Sequence, residues 1–249
     1  MKLPERGRET GDWLSLDWKS GPGIMVAAAA NSGKSVVINT LIAAALEAGF
    51  QLAICDDEDK SVDFQWCRPW IIPHGWGCDS PESAAATLIH VLEICSYRSK
   101  LIKQYGVENW WGLPKDEQEK NPLLLLVCDE VAQWAGSVTI PKVSKDNPMR
   151  IRAEYEASIH AANITYAMKI TQKARFSGVC FLFCGQSTRL QDGFDPGMRV
   201  NLTTVISPTC NPPPLSKSCW EGRRTSLRYR KTSCNRESPE EPALSGFPA

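Results

Sequence analysis

Ile24-Met25-Val26-Ala27-Ala28-Ala29-Ala30-Asn31-Ser32-Gly33-Lys34-Ser35-Val36 decides how the rest of this chain is read. An apolar run enters a stretch of small residues, and Gly-Lys-Ser leads out of it into an Ala-rich apolar segment. The order is strand, phosphate loop, helix. In such a loop successive backbone N–H groups wrap phosphates, a lysine reaches the β- and γ-phosphates, and a Ser/Thr hydroxyl holds Mg2+. The helix that follows turns its partly positive N-terminus toward the anion. Ala29, Ala30, Asn31, Ser32, Gly33, Lys34, Ser35 and Val36 are therefore the candidate nucleotide-binding residues, with Ser35 a metal ligand. Ala28 stands where the usual G-x-x-x-x-G-K-[ST] pattern has its first glycine, so the match is full only in its second half.

Downstream, residues 34–49 read as a helix apolar around most of its circumference, with Gly49 as its natural C′ residue. Gln51 to Cys55 forms a second strand that opens onto Asp56-Asp57-Glu58-Asp59. That acidic run either lines a site or is simply solvated, and solvation is the plainer expectation. Residues 64–80, rich in Trp, Pro and Gly, read as an irregular connection. Ser80 then caps a long helix with Pro81 at its first position, running to about Gln104. A loop over 107–121 leads into the most apolar strand, Leu123 to Cys128, which ends in Asp129-Glu130. Residues 136–149 form a polar excursion, a helical pattern runs from about Arg150 to Phe176, and Val179 to Cys184 is a third continuous apolar strand. Val200 to Ile206 is a weaker one.

Strands alternating with helices, and apolar along their whole length, predict an α/β fold with a mostly parallel sheet covered on both faces. Residues 1–23 read as a lead-in, 24–208 as the folded domain, and 209–249, where Pro, Ser, Arg and Cys replace any periodicity, as a disordered tail.

Hydrophobic residues make up 43% and charged residues 22% of the chain, the balance of an ordinary globular protein. Formal net charge is zero, so no global field draws the chain to nucleic acid or membrane. After Pro208 seven Lys/Arg face four Asp/Glu, which puts the tail at +3 and the body at −3. The ten cysteines form no C-x-x-C pair and several lie in apolar strands, which predicts reduced, buried thiols and a cytoplasmic protein. His74, His90 and His160 have no ligand spacing. No run reaches the roughly 18 apolar residues of a membrane span, and no signal peptide is visible.

The second chemical constellation is Asp129-Glu130. Six apolar residues running into two carboxylates make the Walker B arrangement, in which Asp129 holds Mg2+ and Glu130 orients and polarises the attacking water. Gln186 ends the next apolar strand. In a parallel sheet it lies near the phosphates and can donate a hydrogen bond to the γ-phosphate or water; the plainer alternative is a strand-capping polar residue. The Trp-rich stretches 66–76 and 110–111 suit core or interface packing better than stacking on nucleic-acid bases.

With these motifs placed, the sequence resembles the FtsK/SpoIIIE-type DNA translocases. The resemblance rests on Asn31-Ser32-Gly33-Lys34-Ser35-Val36 with Asn39, on Tyr97 to Ile102 followed by Gly106-Val107-Glu108-Asn109, on Val127 to Ala132, and on Gln172-Lys173-Ala174-Arg175 with Gly185-Gln186. These fall in the family's order over roughly residues 20–206. The resemblance implies a RecA-like P-loop core that binds and hydrolyses ATP with Mg2+. It also implies a hexameric homo-oligomeric ring around double-stranded DNA, gripped without regard to sequence. Lys34, Ser35, Asp129, Glu130 and Gln186 take the ATP-site roles. Lys142, Lys145, Arg150 and Arg152 are candidates for DNA phosphates by charge alone. Three departures stand out: Ala28 for glycine, Asp57-Glu58 in place of Pro-Lys, and Ser187 where an arginine is usual. The family's membrane anchor and winged-helix domain have no counterpart here, and 209–249 match nothing in its core. A plasmid- or phage-encoded relative with a truncated or frame-shifted end fits those gaps. A degenerate, non-hydrolysing subunit and another P-loop motor, for packaging or conjugation, are the alternatives.

Overall fold

Seven strands in the order β5-β4-β6-β7-β3-β8-β9 form a sheet in which every pairing is parallel. The computed structural model describes residues 2–4, 13–28, 32–185, 192–207 and 227–228. Short strands β1 (Lys2–Pro4) and β2 (Trp13–Ser15) pair antiparallel outside the main sheet. The chain then enters β3 (Gly23–Ala27), α1 (Lys34–Glu47) and β4 (Gln51–Cys55). A 3-10 helix (Ser61–Trp70) leads to β5 (Ile71–Gly77) and α2 (Pro81–Gln104). A second 3-10 turn (Trp110–Gly112) and α3 (Lys115–Lys120) precede β6 (Leu124–Cys128). After it come α4 (Val131–Ala135), α5 (Pro148–Ser177), β7 (Val179–Gly185), α6 (Pro196–Arg199), β8 (Thr204–Ser207) and β9 (Leu227–Arg228).

Side-chain alternation sorts the strands into two cores. From β3, Ile24 and Val26 face the layer holding Ile38, Leu41 and Ile42 of α1, while Met25 and Ala27 face α2, α4 and α5. Both β6 and β7 are buried at every position, as strands covered on two faces must be. Each fully buried Leu, Ile, Val or Phe contributes about 1.5–3 kcal/mol through area removed from water. The expected α/β fold is therefore observed. Trp18 of the lead-in is buried, its ring 5.8 Å from that of Phe50.

Local signals set the helix ends. Ser80 and Ser83 exchange side-chain-to-backbone hydrogen bonds in a capping box, with Pro81 opening α2 as expected. Asn147 caps α5 through Met149 N–H, and Gly178 ends it at φ 68°. Three expectations change. Residues 64–80 are not wholly irregular: β5 pairs with β4 at the sheet edge, with a register shift between Leu52 and Ile54. Pro73 has no N–H to donate and the shift breaks the alternation, so the strand carries no clean period. The stretch 200–206 starts as a turn after α6, and only Thr204–Ser207 is strand. Leu227 and Arg228, within the stretch expected to be disordered, pair with β8; the remainder of 208–249 lies outside the described residues.

Candidate nucleotide site

Four strand ends stand side by side at the carboxyl edge of the sheet: Cys55 of β4, Cys128 of β6, Gly185 of β7 and Ala27 of β3. In open α/β sheets this edge is where ligands bind. Ala28 continues from β3, fully buried, and donates its N–H to the Gly185 carbonyl at 3.3 Å. Gly33 sits at φ 90° as the N-cap of α1, and a Cβ there would meet nothing within 4 Å. Its glycine character is thus a matter of backbone conformation, not of crowding. The first intrahelical bond runs from Val37 N–H to the Gly33 carbonyl, so the N–H groups of Lys34, Ser35 and Val36 begin the helix without partners in it. Val36 turns its side chain out, 70% exposed, and Ser35 is half-buried. The Ser32 hydroxyl is buried with no hydrogen-bond partner among the described residues. Ala29, Ala30, Asn31 and Gln186 lie outside the described residues.

The Lys34 ammonium joins the loop to the acidic pair. Its Nζ is 2.7 Å from Asp129 Oδ1 and 2.6 Å from Glu130 Oε1. Burial works against the charged lysine, but the two carboxylates outweigh it and raise its pKa. Asp129 is further fixed by its own backbone: Oδ1 accepts the Glu130 N–H at 2.8 Å, and its carbonyl accepts the Trp134 indole N–H at 2.8 Å. Burial pushes the Asp129 carboxyl above its ordinary value against the pull of Lys34. For Glu130 burial pushes the same way, yet hydrogen bonds from Lys34 and Lys60 prevail and hold it below its ordinary value. Glu130 itself adopts a left-handed conformation, φ 41° and ψ 45°, as N-cap of α4. A non-glycine residue held there is uncommon and marks a locally constrained corner.

Two further residues join the site: Lys60, which its sequence pattern did not single out, and Asp56, from the acidic run expected either to line a site or to be solvated. Lys60 Nζ lies 2.9 Å from the same Glu130 Oε1 that Lys34 reaches. Asp56, expected within a solvated acidic run, is only 2% exposed. One of its oxygens accepts the Asp57 N–H at 2.8 Å; the other is buried without a partner among the described residues. Burial first, and the charge of Asp129 second, push its pKa up to about 7. Glu58 and Asp59 remain exposed, so the solvated reading holds for them. Asp56 follows β4 as Asp129 follows β6, and that shared position is the signal its sequence carried.

Among the described residues no group of three or more His, Cys, Asp or Glu is arranged to hold a metal ion. Magnesium does not need one, because it is usually bound by one or two carboxylates together with substrate phosphates and waters. Asp129 and the Ser35 hydroxyl are hard oxygen donors of the right kind, and the Asp56 oxygen without a partner among the described residues is a further one near Asp129.

The fold has known counterparts. The pCW3 conjugation coupling protein TcpA, in its monomer form with ATPγS, superposes with a TM-score of 0.64 at 15% identity, over 83% of this chain and 53% of that one. EssC (ATPases 2 and 3) from Geobacillus thermodenitrificans gives 0.56 at 17% identity, and the cytoplasmic domain of EssC 0.57 at 16%; each covers 83% of this chain and 36% of its own. At these identities the likeness is one of fold. This chain spans about half the length of TcpA, and less of EssC. No protein-family model matches the sequence, and no curated protein does.

The stretches that carry the translocase resemblance divide between two edges of this fold. Gly33, Lys34, Asp129 and Glu130 are at the carboxyl edge. Arg98, within 97–109, and Ser177 and Gly178, which follow the Gln-Lys-Ala-Arg stretch, meet at the opposite one, where β7 begins. There the buried Arg98 guanidinium donates to the carbonyls of Ser177, Gly178 and Pro122. Gln172 and Arg175 face solvent on the same stretch of α5. Lys142, Lys145 and Arg152 are exposed, whereas Arg150 is engaged by Glu154 at 2.7 Å and by the Val143 carbonyl.

Proposed function

We propose that this chain is an ATP-driven motor of the FtsK/SpoIIIE type, acting in the cytoplasm on double-stranded DNA as a homo-oligomeric, hexameric ring. The observation that carries the proposal is the meeting of Lys34 with Asp129 and Glu130 at 2.6–2.7 Å, which puts the loop lysine and the two strand-end acids at one point. On this reading Lys34 exchanges its carboxylates for the β- and γ-phosphates, with the N–H groups from Ala29 to Val36 around them. Ser35 and Asp129 would hold Mg2+, which would neutralise phosphate charge when bound. Glu130, freed from Lys34, orients the attacking water and accepts its proton, and Gln186 donates to the γ-phosphate or that water. The likeness to a coupling protein solved with ATPγS and to EssC ATPases supports a nucleotide-driven transfer machine. Contacts with DNA would be electrostatic and made by local patches, since the chain has no net charge.

A second reading is a nucleotide-binding subunit that does not turn over. Lys34 held by both acids, and Ala28 buried where the loop's first glycine belongs, favour it. ATP turnover with and without duplex DNA, in wild type, Lys34→Ala and Glu130→Gln, decides between them. The motor requires DNA-stimulated hydrolysis that both substitutions reduce by 100-fold or more, on the order of the contribution of general acid–base catalysis. Nucleotide binding with no wild-type turnover would establish the second reading instead.

A further inference from the structure

Glu130 Oε1 accepts two ammonium groups at once, Lys34 at 2.6 Å and Lys60 at 2.9 Å, and the two are not equivalent. Lys34 sits at the start of α1, beside the loop, with its side chain 14% exposed. Lys60 comes from the turn after β4 and is 49% exposed. Its backbone is fixed: its N–H and that of Ser61 both donate to the Asp57 carbonyl at 3.1 Å, and the Ser61 hydroxyl reaches the Glu58 carbonyl. Lys60 therefore ties the turn after β4 to the tip of β6 through its side chain.

We propose that Lys60 is a positioning residue for Glu130, the cation that keeps this carboxylate in place once Lys34 has turned to the phosphates. The proposal rests on the nucleotide-site reading above. Asp129 keeps its anchor on the Glu130 N–H when Lys34 leaves. Glu130 has no comparable anchor: among the described residues its carboxylate contacts are Lys34 and Lys60. Its left-handed backbone aims the side chain from a constrained corner, and the negative charge of Asp129 beside it repels it. One retained ammonium opposes that repulsion and keeps the carboxylate where water is to be activated. Lys60 acts through Glu130 and touches no reacting atom.

Steady-state ATP turnover and binding of a fluorescent ATP analogue, measured for wild type, Lys60→Met and Lys60→Arg, test this. Lys60→Met is expected to lower kcat roughly 10- to 100-fold, the size of a small misplacement of a catalytic group, while KM and analogue affinity stay within about twofold. Lys60→Arg, which keeps the charge and the reach, is expected to recover most of the lost kcat. An unchanged kcat in Lys60→Met overturns the proposal, and so does a loss shared by KM and analogue affinity or one that Arg does not rescue. If wild type shows no turnover, the ATPase reading falls and this assignment falls with it; turnover indifferent to Lys60→Met removes this assignment alone.

Discussion

Asp56 is the residue whose environment most departs from what its type prefers. A carboxyl 2% exposed, with one oxygen unpartnered among the described residues and Asp129 beside it, ionises near 7 in the folded chain against an ordinary 3.8. Between those two pH values the folded chain holds a proton that the unfolded chain has released. Stability therefore falls as pH rises from about 4 to about 7, and levels off above that. One pKa unit corresponds to about 1.4 kcal/mol, so the full shift sets an upper bound of about 4 kcal/mol, reduced by whatever relaxation the site allows. Asp56→Asn removes the charge and keeps the shape. In denaturant titrations it is expected to be more stable than wild type by about 1–3 kcal/mol at pH 8 and equal to it at pH 4. A difference independent of pH, or an Asn variant weaker at pH 8, would show that Asp56 is not held in its neutral form by this site. The same burial explains why a strand-end acid can sit beside the Lys34–Asp129–Glu130 cluster without a cation of its own.

At the scale of elements, legibility followed burial and period. The apolar runs of β3, β4, β6 and β7 are plain because both faces of each are covered, and α2 is plain because Ser80-Pro81 states where it starts. β5 was not legible: Ile71-Ile72-Pro73-His74-Gly75-Trp76-Gly77 carries a proline, a register shift and a left-handed His74 at φ 59°. The five residues of α4 are too few to show a period and depend on the turn at Glu130. The candidate site divides in the same way. Lys34 and the two acids were visible because their neighbours are strand and helix, whereas Lys60 sits in a charged run whose fold-back no local pattern announces. Elements are also locked at the far edge. Arg98 of α2, 4% exposed, takes up the last carbonyls of α5 and that of Pro122, and burial lowers its pKa to about 10. Arg98→Leu leaves those three carbonyls without their charged donor, at a cost of about 2–4 kcal/mol by the usual penalty for unsatisfied buried groups. The expected result is a lower denaturation midpoint with unchanged affinity for a fluorescent ATP analogue in the folded protein. A loss of affinity at full stability would mean that this joint is coupled to the opposite edge.

At the scale of the whole molecule, the buried acids among the described residues, Asp56, Asp129 and Glu130, all lie where the sheet ends. Three acids and two lysines meet at the carboxyl edge, while the interior behind them holds apolar side chains and buried thiols such as Cys55, Cys128 and Cys184. With Asp56 protonated, the two lysines balance the carboxylates of Asp129 and Glu130, so a nucleotide must displace existing ion pairs before it gains new ones. Binding is still expected to stabilise the fold as a whole, because a ligand that prefers the native state adds about 2.7 kcal/mol at a hundredfold excess over its Kd. For a chain of this size each kcal/mol raises Tm by about 2–4 °C, so ATPγS with Mg2+ is expected to raise it by roughly 5–10 °C. Lys34→Ala is expected to abolish that rise, and Lys60→Met to keep it, since Lys60 steadies Glu130 and not the phosphates. ATPγS added without Mg2+ separates the metal's share: a smaller rise is expected if Ser35 and Asp129 are its oxygen donors as proposed. Thermal melts of the three proteins under the three conditions check this. An equal rise in Lys34→Ala would place the nucleotide somewhere other than the carboxyl edge of this sheet.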